Sequence, residues 1–302
     1  MGISVIIPTY NRAAFTSAAI DSVLAQTLPP DEILVIDDGS SDDTEQALRH
    51  RFGERIRYVS QANQGPSAAR NHGMRLAREE LVAFLDSDDL WRPSKLQVQH
   101  DFLTQNPTVD FVFCDLWVGD ESDGGIEIQD RNFHDQLVNQ QTHLSAMVEV
   151  LISRSFTITT TLMFRRRCWD TCGPFDESMR LCEDMDLWLR AAAQYKWGFV
   201  PVPLAERRRH EGNLVNDWIK REEARLAVIQ KFLVGPWSDQ VSDEIVALAL
   251  RELTYDLGSA QLRAGRFKAA RTTLEIARER GCRAGVLPIK LLIAGCLSSV
   301  LD

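Results

Sequence analysis

Short apolar runs alternate with longer stretches of helical spacing from the start of the chain to Val118. The runs Ile3-Ser4-Val5-Ile6-Ile7, Glu32-Ile33-Leu34-Val35-Ile36, Ile56-Arg57-Tyr58-Val59 and Leu81-Val82-Ala83-Phe84-Leu85 have the length and β-branched content of strands. Between them the spacing predicts helices over 13–26, 43–52 and 66–78. Pro93 suits the first turn of a fourth helix ending near Asn106, and Val109 to Val118 closes the series as a strand. Strands and helices in this alternation join through right-handed crossovers, so the predicted fold is α/β with a mainly parallel sheet. Residues 119–143 turn polar and predict a loop. Further on, Phe156 to Phe164 reads as a β segment, 171–177 as a turn and 184–193 as a helix. From about Val215 helical periodicity takes over, with a helical hairpin turning at Ala264-Gly265-Arg266, which divides the chain into 1–214 and a helical region, 215–302.

Ligands of open α/β sheets bind outside the carboxyl ends of the strands. Those ends carry Pro8-Thr9-Tyr10-Asn11, Asp37-Asp38-Gly39-Ser40 and Asp86-Ser87-Asp88-Asp89. The last places three carboxylates in four residues. Ionised carboxylates a few ångströms apart repel by roughly 1 kcal/mol in water and several-fold more where water is scarce. A divalent cation shared with substrate phosphates would offset that repulsion, and a solvated turn capping the next helix is the alternative. Neither a Gly-x-Gly-x-x-Gly nor a Gly-x₄-Gly-Lys-[Ser/Thr] motif follows the first strand, which removes the main support for a dinucleotide or P-loop site.

Composition adds exclusions. At 302 residues with 44% hydrophobic content the chain can bury a large core, and a net charge of −9 argues against a nucleic-acid partner. Two basic runs, Arg165-Arg166-Arg167 and Arg207-Arg208-Arg209, read as solvated faces ahead of phosphate or membrane contacts. No basic leader with a cleavage site opens the chain, so a cytoplasmic location is expected. The six cysteines lack the spacing of a disulfide scaffold or a zinc site. Val286 to Leu301 carries one charge, Lys290, and reads equally as core, partner surface or membrane-surface helix.

Taken together, the motifs resemble family 2 glycosyltransferases of the GT-A fold. The resemblance is carried by Val5-Ile6-Ile7-Pro8-Thr9-Tyr10-Asn11-Arg12, Ile36-Asp37-Asp38-Gly39-Ser40 with Asp42, and Gly65-Pro66-Ser67-Ala68-Ala69-Arg70-Asn71. The acidic cluster follows, then Gly173-Pro174-Phe175-Asp176-Glu177, Glu183-Asp184-Met185-Asp186-Leu187-Trp188 and Arg209-His210-x-x-Asn213. The region beyond about residue 215 lies outside these motifs.

The resemblance implies that Pro8, Thr9, Tyr10 and Asn11 line a nucleotide and that Asp38, with Asp37, accepts hydrogen bonds from its base, expected to be uracil. Arg70 would approach the diphosphate or the neighbouring acids. Asp86-Ser87-Asp88 matches the Asp-x-Asp motif, with Asp88 the direct ligand of Mn²⁺ or Mg²⁺, Asp86 beside it and Ser87 at the donor. His210 would reach the metal or phosphates, and Asp184 would be the catalytic base. The implied activity is an inverting, metal-dependent transfer from a nucleotide-diphosphate sugar to a glycan or lipid-linked acceptor in cell-surface polysaccharide assembly. It would take place in the cytoplasm, with peripheral membrane contact through the C-terminal helices. Taken singly, each site has a plainer reading: Asp37 to Ser40 a turn, Asp184 a helix cap, His210 a surface histidine, Arg70 an exposed helix residue, Asp89 the start of the next helix or an acceptor contact. A nucleotidyltransferase and a nonreactive sugar-nucleotide scaffold are the competing functions.

Overall fold

A computed structural model describes residues 1–119, 127–128, 147–153, 159–208, 218–282 and 287–301. By its contacts the chain divides into two units, Met1–Met147 with Phe156–Glu211, and Val148–Ser155 with Gly212–Asp302.

The first unit opens with β1 (Ile3–Thr9), α1 (Ala13–Leu24), β2 (Glu32–Asp37), α2 (Thr44–Phe52), β3 (Arg57–Ser60), α3 (Pro66–Leu76) and β4 (Leu81–Phe84). It continues with β5 (Asp89–Trp91), α4 (Lys95–Gln105), β6 (Phe111–Val118) and β7 (Glu127–Ile128). After α5 (Met147–Ser153) come β8 (Leu162–Arg165), α6 (Arg167–Cys172), α7 (Glu183–Ala192) and β9 (Trp197–Arg207). The described strands form one mixed, mostly parallel sheet in the order β3-β2-β1-β4-β8-β6-β9-β5, with β7 on β6. β3, β2, β1 and β4 are parallel, in a register that sets Thr9 level with Asp37 and Asp37 level with Ser60. β8 is antiparallel to both β4 and β6, whereas β6 and β9 are parallel.

Both faces of β1, β2 and β4 are covered, which is why they read as continuous apolar runs rather than alternating ones. Val5, Ile7, Val35, Ala83 and Leu85 face a core shared with Ala19, Ile20 and Val23 of α1, Leu48 and Phe52 of α2, and Leu96 and Leu103 of α4. On the opposite face α3 lies so close that a Cβ at Gly73 would sit 2.4 Å from Ile6 Cγ2. Phe84, Phe164, Phe175, Phe111 and Trp188 pack there as stacked and edge-on rings 5.2 to 6.2 Å apart. Such pairs add about 0.5–1.5 kcal/mol each beyond their burial.

Three expectations change. Asp89 does not begin a helix: it opens β5, opposite Arg207 of β9, and α4 starts only at Lys95. Only part of the run Arg165 to Arg167 departs from a solvated face: Arg166 and Arg167 are exposed, as expected, whereas Arg165 is half-buried. All three sit at the amino ends of the parallel strands, where Arg165 donates to the Val109 and Leu103 carbonyls at 3.0 and 2.8 Å, Arg166 donates to the Glu79 carbonyl at 3.1 Å, and Arg167 pairs with Asp110 at 2.8 Å. Nor is Arg70 an exposed helix residue, as described below.

The second unit is helical: α8 (Trp218–Leu233), α9 (Asp243–Arg263), α10 (Phe267–Glu279) and α11 (Leu287–Leu301), with most of α5. Glu222 on α8 is buried between Arg221 and Arg225, and Arg225 reaches the Ile152 carbonyl at 3.1 Å. The turn between α9 and α10 falls at Ala264-Gly265-Arg266.

Candidate functional site

The carboxyl ends of β1 and β2 are tied together by local hydrogen bonds. Asn11, in a left-handed conformation at φ 50°, accepts at Oδ1 from the Ser41 and Asp42 amides at 2.7 and 3.3 Å, while its own amide donates to Ser40 Oγ at 2.8 Å. Asn is one of the few residues that tolerates that backbone. Pro8 and Thr9 are buried in β1; the Thr9 and Thr16 hydroxyls share a hydrogen bond at 2.6 Å, and the Thr9 carbonyl accepts from the Asp38 amide at 2.9 Å. Tyr10 at the tip is 46% exposed, so its ring is the part of this segment open to a flat ligand.

Asp37 and Asp38 have separate structural partners. Asp37 accepts from Tyr58 Oη at 2.5 Å on one oxygen and from the Ser40 amide and hydroxyl, at 3.0 and 2.6 Å, on the other. Burial, reinforced by that carboxylate, raises the Tyr58 phenol above its usual range. Asp38 accepts from Gln61 Nε2 (2.8 Å), the Gln64 amide (3.0 Å) and the Gly65 amide (2.7 Å). It thereby fixes the approach to α3, where Gly65 takes φ +98°, a backbone that side-chain-bearing residues rarely adopt.

From α3 the guanidinium of Arg70 reaches two acids far apart in the chain. Nη2 donates to Asp86 Oδ1 at 2.7 Å, just after β4, and Nη1 to Glu183 Oε1 at 2.9 Å, in the first turn of α7. Only 8% of the Arg70 side chain is exposed, and its guanidinium lies 5.4 Å from the Phe175 ring centroid. Burial opposes the Arg70 charge, but Asp86 and Glu183 outweigh it and hold its pKa above the usual value. Glu183 moves the other way from a free acid: burial raises its pKa against the pull of Arg70, and the adjacent Asp184 adds to the rise. The next residue, Asn71, clamps the 173–177 turn, donating to the Phe175 carbonyl and Glu177 Oε1 at 3.0 and 2.8 Å and accepting from the Phe175 amide at 2.9 Å.

Asp88 lies beside Arg12, its Oδ2 accepting from Nη1 at 2.6 Å, and its carbonyl accepts from Arg208 Nε at 2.8 Å. Arg208 in turn stacks on Phe15 at 4.8 Å, so part of the second basic run is turned onto the acidic segment rather than into solvent. Asp89 is buried, and desolvation, with the charges of Asp86 and Asp88, raises its carboxyl well above the usual range. Ser87 is buried between the two candidate ligands. Among the described residues no group of three or more His, Cys, Asp or Glu side chains is arranged to hold a metal by itself. His210 lies outside the described residues.

Asp184 sits in the first turn of α7, where carboxylates are favourable. Its Oδ1 accepts from the Met185 amide at 2.8 Å and its Oδ2 from Thr159 Oγ1 at 3.2 Å. The structure thus brings Asp86 and the first turn of α7 within the span of one arginine. It also adds Arg12, Thr159, Glu183 and Arg208 to the residues singled out by sequence. Glu183 was within reach there, as a second acid beside Asp184; the others become visible only through contacts distant in sequence.

Residues 4–171 match the model of Glycosyl transferase family 2. An uncharacterized glycosyltransferase of Rickettsia felis is 32% identical over 254 residues, which cover 83% of this chain and 40% of that protein. The chain therefore spans well under half the length of that relative. S. aureus TarS 1-349 in complex with UDP-GlcNAc matches with a TM-score of 0.68 and 18% identity, over 99% of this chain and 92% of the other. The mannosyltransferase PcManGT from Pyrobaculum calidifontis, in complex with GDP-Man and Mn²⁺, matches with a TM-score of 0.65 and 21% identity, over 99% and 80%. At such identities the likeness is one of fold, and it is the GT-A fold of a mixed sheet between helices. Because the family match covers more than half of the chain, this protein belongs to glycosyl transferase family 2.

Proposed function

We propose that the protein is an inverting glycosyltransferase. It moves a sugar from a nucleotide-diphosphate sugar to a hydroxyl of a glycan or lipid-linked acceptor in cell-surface polysaccharide assembly. The observation that carries this reading is the Arg70 bridge, which holds the acidic segment after β4 and the carboxylates of α7 within one side chain's reach. Donor complexes of the solved relatives support the substrate class, UDP-GlcNAc in one and GDP-Man with Mn²⁺ in the other.

The donor set fits a hard divalent cation. Asp86 and Asp88 offer carboxylate oxygens from alternate residues, and Arg70 and Arg12 beside them offset their mutual repulsion. Among the described residues these carboxylates do not close a cage by themselves, and Mg²⁺ or Mn²⁺ is commonly held by one or two carboxylates and completed by phosphate oxygens. When bound, such a cation stabilises the charge that develops on the departing nucleoside diphosphate. Asp38 and Tyr10 hold the base, and His210 joins the phosphate side. Asp184 takes the proton of the acceptor hydroxyl as its oxygen bonds to the anomeric carbon and the bond from that carbon to the phosphate oxygen breaks. That single displacement inverts the centre, and one positioned base contributes about 10²- to 10⁴-fold.

The test is a thermal-shift panel of uridine, guanosine and thymidine diphosphate sugars with and without Mn²⁺, followed by assay for released nucleoside diphosphate. A ligand at 100 times its Kd stabilises by about 2.7 kcal/mol. A Mn²⁺-dependent shift with a uridine sugar is expected, and none with any donor would remove the reading.

The proposal extends to peripheral contact with the cytoplasmic face of a membrane through α11. Lys290, the only charge on that helix, is turned onto Tyr255 Oη and Ser259 Oγ at 2.8 and 2.7 Å, while Ile289, Leu292 and Ile293 stand 57%, 67% and 43% exposed. None of the described helices is long and apolar enough to cross a membrane. Wild-type protein is expected to sediment with anionic vesicles and Leu292→Asp to remain in solution; equal sedimentation of the two would reject this surface.

A further inference from the structure

We propose that Thr159 is a positioning residue for Asp184, held in place by a brace that grows out of the acidic segment. The inference rests on the reading of Asp184 as the base. Thr159 is buried, and its hydroxyl meets two groups of α7: Asp184 Oδ2 at 3.2 Å and Trp188 Nε1 at 3.3 Å. Asp184 and Trp188 are one helical turn apart and so share a face.

The chemistry of the two partners fixes the direction of the hydroxyl. An indole N–H can only donate, so it fills a lone pair of the Thr159 oxygen, and the single hydroxyl proton is left for the Asp184 carboxylate. The Met185 amide donates to the other carboxylate oxygen at 2.8 Å. With one donor on each oxygen, the carboxylate plane is set while further lone pairs remain for an incoming hydroxyl proton.

Thr159 is itself immobilised from below. Three successive carbonyls of its turn and the following strand are each taken by a side chain from the β5–α4 segment. Trp91 Nε1 donates to Thr160 O at 2.8 Å, Gln99 Nε2 to Thr161 O at 2.7 Å, and Lys95 Nζ to Leu162 O at 3.4 Å. Lys95 is fully buried, 4.1 Å over the Trp91 ring and 2.7 Å from Gln99 Oε1, which locks the three braces to each other. Burial pushes its ammonium down to about 8, so the site keeps a costly group where an apolar one would fill the space. Trp91 lies in the same short strand as Asp89, next to the proposed metal ligands. The brace therefore links the place where the donor phosphates are held to the orientation of the group that deprotonates the acceptor.

Thr159→Val keeps the shape and removes the hydroxyl, and Thr159→Ser restores it. The expected result is a fall in kcat of about 10-fold or more for Thr159→Val, with KM for the donor sugar and the donor-induced thermal shift unchanged, and recovery in Thr159→Ser. In an Asp184→Asn background the same valine substitution should cause no further loss, because its effect passes through Asp184. Full kcat in Thr159→Val, a loss that Thr159→Ser does not recover, or an additive loss in the double variant would each overturn the inference. A fully active Asp184→Asn would instead remove the reading on which it rests.

Discussion

Arg70→Met is expected to lose about 3–5 kcal/mol of folding stability, the usual cost of deleting one member of a buried charge network. Domains are stable by only about 5–15 kcal/mol, so the variant should melt on the order of 10 °C lower. The loss follows from geometry: the substitution leaves Asp86 and Glu183 without the guanidinium that both accept from. Its pH dependence has a definite sign. Burial already raises the Glu183 carboxyl in the folded protein, and removing Arg70 takes away the main opposing pull. With the folded pKa above the unfolded one, the folded state binds more protons in the interval between them, so stability falls as pH rises through it. The deficit of Arg70→Met is thus largest near neutrality and shrinks towards about pH 5, near the ordinary range of carboxyl groups. Denaturation at a series of pH values checks this, and a deficit that grows on acidification would contradict the bridge.

Asp184→Asn is expected to lower transfer by about 10²- to 10⁴-fold while donor binding persists. Asparagine keeps the size of the side chain and can still accept from Thr159, but it cannot take up a proton from an acceptor hydroxyl. Initial-rate measurements of nucleoside diphosphate release, paired with calorimetric titration of donor and Mn²⁺, separate the two effects. Unchanged turnover would show that the proton goes elsewhere.

Those two residues also mark the limit of what local sequence can convey. β1, β2 and β4 are legible because each is apolar on both faces, β3 because its short run recurs between two helical stretches, and the acidic cluster is legible because its charges sit where a buried strand must end. Asp184 is found through its motif. Arg70, by contrast, looks like any charged residue on a helix surface until Glu183, 113 residues away, is folded against it. β9 is hidden for a different reason. Pro201 and Pro203 interrupt it, and the structure accommodates them with a register shift beside Cys114 and Asp115 of β6. Without β9 neither the pairing of β5 nor the inward turn of Arg208 can be foreseen, so the start of β5 reads as a helix and the arginine as solvated. Thr159 carries no local signal at all, since its meaning lies in Asp184 and Trp188.

The clamp of Asn71 on the 173–177 turn bears on how such proteins can be recombined. Adjacent residues of α3 grip segments more than a hundred positions downstream, Arg70 through Glu183 and Asn71 through Phe175 and Glu177. A chimera that exchanges the second half of the domain for a relative's, to import a new acceptor preference, cuts through neither segment and yet severs both grips unless α3 travels with it. The natural unit of exchange is therefore discontinuous: one helix from the first half together with 173–184 from the second.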